Sequence, residues 1–319
     1  MAEEKKFDLY QEITDRIIAE LESGTVPWHK PWITTGMGIS VVADPRRMAV
    51  SHATGRAYSI MNQMMLKKPG EYVTFDECRK EGGKVKKGSK SKLVVFWKVV
   101  YVDEKDPITG AVVTDGKGNP KKKPVPLLRY SRVFHLDDTE GLTPKVDVTK
   151  LAQPKRTSAG AVAIPEADAV IDGYVARSGV GFEARMSDRA YYAPYADRVV
   201  VPCIDQYKET AEYYSTTFHE LVHSTGHHTR LKRFGEDVSE AAAFGSESYS
   251  KEELVAEIGS VACVNTLGIE TEGSFHNSAA YIENWLQVLK KDKRMIVSAA
   301  SRAQNAVEMI FGIGGEDDA

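Results

Sequence analysis

The sequence predicts an α+β protein of two domains, on three observations. The first half carries short β-like apolar runs beside one clear amphipathic helix. The second half is dominated by apolar residues at helical spacing, with room for only a small sheet. Between them, Thr139 to Pro165 holds Gly141, Pro144, Pro154, Gly160 and Pro165 with little periodic apolar patterning. These divide the 319 residues into a domain over 1–140, a linker over 141–160 and a second domain over 161–319.

Taken in order, Leu9, Ile13, Ile17, Ile18 and Leu21 form a stripe that predicts a helix over Phe7–Ser23, ended by Gly24. Gly24 to Gly38 contains Pro27, Trp28, Pro31 and Trp32 and reads as an extended aromatic loop. Tyr72–Phe75 and Leu93–Val102 are strand candidates. Asp103–Pro126 is rich in Lys, Gly, Pro and Asp, which predicts a hairpin with a long exposed loop, and Leu128–Leu136 is its returning strand. Past the boundary, Glu166–Arg177 predicts a helix, and Tyr191–Pro202, with Val199, Val200 and Val201, a short strand. Further helices are predicted near Lys251–Leu267 and, as one long element, over Ala279–Phe311, ahead of a frayed acidic tail.

Composition bounds the function classes. Hydrophobic residues make up 42% and charged residues 27%, ordinary for a globular protein. A net charge of −3 excludes a globally basic nucleic-acid binder and leaves local patches open. Nothing approaches the roughly 18 continuous apolar residues of a membrane span. Three isolated cysteines, Cys78, Cys203 and Cys263, support neither a disulfide framework nor a C-x-x-C metal knuckle. With no apolar leader after the charged first residues, a reducing cytoplasm is the expected compartment.

His219-Glu220-Leu221-Val222-His223 reads H-E-x-x-H within a helical stretch. Histidines four apart share a helix face about 6 Å apart along the axis, so both can reach one ion. A catalytic zinc takes three protein ligands plus water, and Glu220 can act as general base toward that water. For the third ligand, Gly226 falls on the glycine of an extended H-E-x-x-H-x-x-G-x-x-H motif, but the third-His position is Thr229, with His227 and His228 out of register. A later helix offers Glu253 and Glu257 on one face, Glu253 as ligand and Glu257 as the carboxylate that orients a ligand histidine. Ser250-x-x-Glu253 is also a capping box, which leaves Glu257 open as the ligand instead.

A second constellation is basic and aromatic. Arg79 to Lys98 carries eight cations, Lys84, Lys86, Lys87, Lys90 and Lys92 among them, against the single acid Glu81. Such a run can track a phosphate backbone, while Trp28, Trp32 and Tyr58 could stack bases as single-strand binders do. A solvated lysine-rich hairpin with buried tryptophans explains the same residues equally well.

Several motifs taken together are similar to the ArdC family of plasmid antirestriction proteins over nearly the whole chain. They are the V-P-W-x-x-P-W segment ending at Trp32, Gly55-Arg56-x-Tyr58 with Asn62, and Gly82-Gly83-x-Val85-x-Lys87-Gly88. They continue through Phe218–Gly226, Glu252–Gly259 and the Ala279–Arg294 stretch with Tyr281, Trp285 and Leu289. The resemblance implies an N-terminal domain that binds single-stranded DNA, a C-terminal zincin-like metallopeptidase domain, and protection of incoming mobile DNA from restriction. The lysine-bearing Asp103–Pro126 segment departs from it as an insertion. The expected cofactor is therefore zinc on His219, His223 and Glu253, and the expected partners are single-stranded DNA and a protein substrate of unspecified identity. A DNA-binding protective factor with a catalytically idle metal site is the rival reading. An oxyanion-stabilising group is also expected, with Tyr249, His228, His276 and Tyr281 as candidates.

Overall fold

The computed structural model describes residues 7–28, 49–145, 161–235, 247–269 and 279–313. Helix α1 (Leu9–Glu22) starts at Asp8, whose carboxylate accepts the Gln11 amide at 3.1 Å, and buries Ile13, Ile17 and Leu21. A four-stranded sheet follows, in the order β1-β2-β5-β4, from β1 (Ala49–Ser51), β2 (Gly70–Thr74), β4 (Lys92–Asp103) and β5 (Lys122–His135). Strands β1 and β2 run parallel; every other pair is antiparallel. The predicted hairpin is present, but its strands extend well into the Lys/Pro-rich segment: β4 and β5 pair without a break from Lys92↔Val133 to Asp103↔Lys122. The ribbon thus continues past the rest of the sheet, where β2 stops pairing at Thr74↔Val133.

Helix α2 (Ile60–Leu66) is pinned to the sheet by Asn62, whose side chain both donates to the Val95 carbonyl and accepts the Val95 amide, each at 2.7 Å. Helix α3 (Phe75–Lys80) opens on a reciprocal cap between Thr74 and Glu77. The small pair β3 (Lys84–Val85) and β6 (Thr139–Glu140) closes the unit.

In the second half, α4 (Pro165–Ser178) matches the predicted helix. A three-stranded sheet, β7-β9-β8, combines β7 (Gly181–Arg185), β8 (Tyr191–Ala193) and β9 (Arg198–Pro202). Then come α5 (Thr210–Thr225), α6 (Glu247–Thr266), α7 (Ala279–Lys291) and α8 (Met295–Phe311). Two expectations change here. The long C-terminal helix is two helices: the Thr14 hydroxyl of α1 takes the Lys293 carbonyl at 2.7 Å, and the Asp292 carboxylate caps the Arg294 amide at 2.9 Å. Ser250 is not an N-cap, because α6 already begins at Glu247, so capping does not account for Glu253.

The two halves share one hydrophobic core. Ile13, Ile17, Leu21, Ile60, Leu93 and Val95 belong to the same buried cluster as Trp285, Leu289, Ile296, Ala300 and Ala303. The Ile60 amide donates to the Gln304 side chain across that junction at 2.9 Å. None of the described helices is long and apolar enough to cross a membrane.

Candidate metal centre

Helix α5 is fixed from below by Phe218, Leu221 and Val222, all fully buried, which leaves His219, Glu220 and His223 on its partly accessible side. Helix α6 crosses against it at very close range. A methyl group at Gly259 would lie 2.8 Å from Val222 Cγ2, so only glycine lets the two backbones approach this far. That approach brings the acidic turn of α6 over the histidines.

The Nε2 atoms of His219 and His223 lie 3.1 Å apart. Glu253 completes a triangle, with Oε1 at 3.3 Å from His223 Nε2 and Oε2 at 3.5 Å from His219 Nε2. Tetrahedral ligands at zinc's ~2.0–2.1 Å are separated by about 3.3–3.4 Å, so the three edges fit a metal. Among the described residues, His219, His223 and Glu253 are the one group of His, Cys, Asp or Glu side chains with metal-holding spacing.

The outer nitrogens face carboxylates as well. Glu257 Oε2 stands 3.8 Å from His219 Nδ1, and Glu252 Oε1 stands 3.4 Å from His223 Nδ1. With a carboxylate beside each outer Nδ1, both rings turn Nε2 inward toward one point, the orientation in which a cation would be held. Glu253 therefore faces the inner nitrogens and Glu257 an outer one. Burial opposes charge on these groups, but the facing carboxylates outweigh it. His223 is pushed up to about 10 and His219 is also raised, while the two imidazoles hold the Glu253 carboxyl far below the usual range.

Sequence reasoning missed Glu252 and its partner Arg233. The chain after α5 turns back, with the Leu231 amide on the Thr225 carbonyl at 2.9 Å and Phe234 on Gly226 at 3.2 Å. This returns Arg233 to the helix end, where it donates to the Val222 carbonyl and the Thr225 hydroxyl, both at 2.8 Å. It also grips Glu252 through two bonds of 3.0 and 2.7 Å. Arg230 makes a parallel tie from the same turn to Asp197 and Tyr192 at the β8–β9 connection. No motif in the sequence marks either arginine.

The remaining predicted residues scatter. His227 is buried and bonds Thr229 Oγ1 at 2.8 Å, and His228 packs its ring on His227, so neither joins the triangle. The side chains of Tyr249 and Tyr281, and all of His276 and Trp32, lie outside the described residues. Trp28 requires a correction: it is 2% exposed and packs edge-to-face on Trp285 with ring centroids 5.2 Å apart, so core packing uses the ring offered for base stacking. Lys84 pairs with Glu140 at 3.0 Å, and Lys86 donates to the Asp137 carbonyl at 2.7 Å. Lys87 and Lys90 are exposed along the β3–β4 connection and Lys92 at the start of β4.

Comparison with known proteins fits this geometry. A zincin-like metallopeptidase family model matches residues 169–302, and the N-terminal domain of anti-restriction factor ArdC matches residues 7–134. The fold is similar to the metal-free crystal structure of the antirestriction ArdC protein from plasmid R388, with TM-score 0.69 and 34% identity over 97% of this chain and 100% of that one. The Mn(II)-bound structure of the same protein gives TM-score 0.67 and 33% identity over 95% and 97%. A DNA primase TraC of Escherichia coli is 32% identical over 98% of this chain, which spans only 28% of the primase. With an ArdC-type N-terminal domain and a zincin-like domain aligned end to end with a solved ArdC protein, the chain belongs to the ArdC antirestriction family.

Proposed function

We propose that this protein binds single-stranded DNA and carries a zinc-dependent peptidase site, acting in the protection of mobile DNA from restriction. The observation that carries the enzymatic part is the triangle of His219, His223 and Glu253, with edges of 3.1–3.5 Å and Glu220 beside it on α5. Two imidazoles and a carboxylate are a donor set that zinc accepts. When bound, zinc supplies Lewis-acid polarisation of a scissile carbonyl and lowers the pKa of water to about 7. Glu220 takes the proton of the attacking water and delivers it to the leaving amine nitrogen. Its charge already influences both imidazoles. Glu257 and Glu252 hold the two rings in the orientation that presents Nε2.

The DNA-binding part is supported by the exposed cations Lys87, Lys90 and Lys92, with Lys84 and Lys86 beside them, and by the ArdC-type N-terminal domain. Glu220→Gln is the deciding variant. It should retain stoichiometric zinc and lose peptide cleavage in unbiased substrate profiling, with and without single-stranded DNA present. Full protection of transferred DNA in cells by Glu220→Gln would defeat the peptidase role and leave a DNA-binding factor with an idle metal site.

A further inference from the structure

The β4–β5 ribbon displays apolar rings where a solvated strand would carry polar side chains. In antiparallel register, opposed residues share a face, so Val95/Tyr130, Trp97/Leu128, Val99/Pro126 and Tyr101/Pro124 line one side. On it Trp97 is 48%, Tyr101 69% and Tyr130 45% exposed. Neighbouring positions on this face are about 6.8 Å apart along a strand, twice the ~3.4 Å step of stacked bases. By the same register Arg132 and Lys122 share the face of the rings, whereas Lys92, Lys98, Lys123 and Arg129 line the other side of the ribbon; the single acid of the two strands, Asp103, is neutralised by Lys122 at 2.9 Å.

At its root the same face opens into a cleft of about 530 Å³ between the two halves of the molecule, and Trp97 lines it. Tyr10 of α1 forms another wall, and the second half supplies Lys251, Arg294 and Arg302 against one acid, Asp292. The Arg294 guanidinium lies 5.3 Å over the Tyr10 ring, and Arg302 is exposed. Aromatic planes beside cations suit a nucleotide, base to ring and phosphate to guanidinium.

We infer that a single DNA strand lies along the Trp97–Tyr101–Tyr130 face of the ribbon and enters the cleft, where Arg294 and Arg302 of the zincin-like half hold its backbone. Strand binding then belongs to both domains, and its stacking platform is the ribbon instead of the tryptophan loop before it. This rests on the proposal that the protein binds single-stranded DNA, and it adds where and with which residues.

The test is fluorescence anisotropy with a labelled 20-mer of thymidine, using the full chain across a salt series. Replacing Trp97 and Tyr101 by Ala should raise Kd at least tenfold with little change in salt slope, because stacking is uncharged; Trp97→Phe in the Tyr101-intact protein should retain affinity. Replacing Arg294 and Arg302 by Gln should instead flatten the slope of log K against log salt by about 1.4, at ~0.7 per phosphate contact on a single strand. The four side chains are surface groups, and an unchanged thermal transition certifies each variant as folded. If the wild type binds the 20-mer and both double variants match it, the ribbon and cleft are not the interface although the protein remains a DNA binder. If the wild type itself does not bind, the DNA-binding reading falls and this inference with it. A variant that loses capture of protein while keeping the oligonucleotide would reassign the ribbon to a protein partner and overturn the inference.

Discussion

Consecutive residues on a helix point about 100° apart, so Glu252 and Glu253 reach one site only because they straddle it. Glu253 faces the inner nitrogens of both histidines, while Glu252 touches His223 from outside and is itself held by Arg233. The two acids should therefore fail differently. Glu253→Gln should abolish stoichiometric zinc uptake, whereas Glu252→Gln and Glu257→Gln should each lower affinity about 10–100-fold. Competition against a chromophoric chelator measures this, and equal zinc retention by Glu253→Gln and Glu257→Gln would rule out a glutamate ligand. His219, Glu220 and His223 were legible because four-residue spacing on one helix is a local property. Glu252 and Arg233 were not, because their roles depend on where α6 and the returning turn after α5 come to rest against His223. Trp28 misled for the same reason: an aromatic beside prolines looks the same in sequence whether it faces solvent or Trp285.

At the scale of elements, the crossing of α5 and α6 is set by Gly259 against Val222. Gly259→Val would overpack this contact. Destabilisation of about 1–3 kcal/mol is expected, together with weaker metal binding as Glu253 is pushed away from the histidines. Chemical denaturation and a zinc titration read the two effects, and a variant as stable and as tight-binding as wild type would show that the crossing has slack. Helices with continuous stripes, α1 and α4, were legible almost to the residue. The break between α7 and α8 was not, since it depends on Thr14, more than two hundred residues away, taking the Lys293 carbonyl. Strand β7 escaped because the Phe182-Glu183-Ala184-Arg185 alternation is only four residues long, and the strand exists through parallel pairing with β9.

At the scale of the whole molecule, the Gly/Pro-rich boundary divides the sequence into two domains, and α1, α2 and β4 of the first bury their apolar faces in the same cluster as α7 and α8 of the second. Fragments covering 1–140 and 161–319 should accordingly expose that surface. The full chain is expected to unfold in one calorimetric transition, and each fragment to melt lower and bind a hydrophobic dye. Two independent transitions in the full chain, each reproduced by a fragment, would show that the shared core contributes little.

The common core also bears on heredity. Mobile elements exchange coding segments readily, and domains joined by a slack tether can be shuffled singly. Here Ile60 and Gln304, or Trp28 and Trp285, must match across the junction, so a recombinant that pairs halves from distant relatives inherits mismatched packing. Selection should then transmit the pair as a single cassette, the form in which nearly the whole chain aligns within a far longer primase.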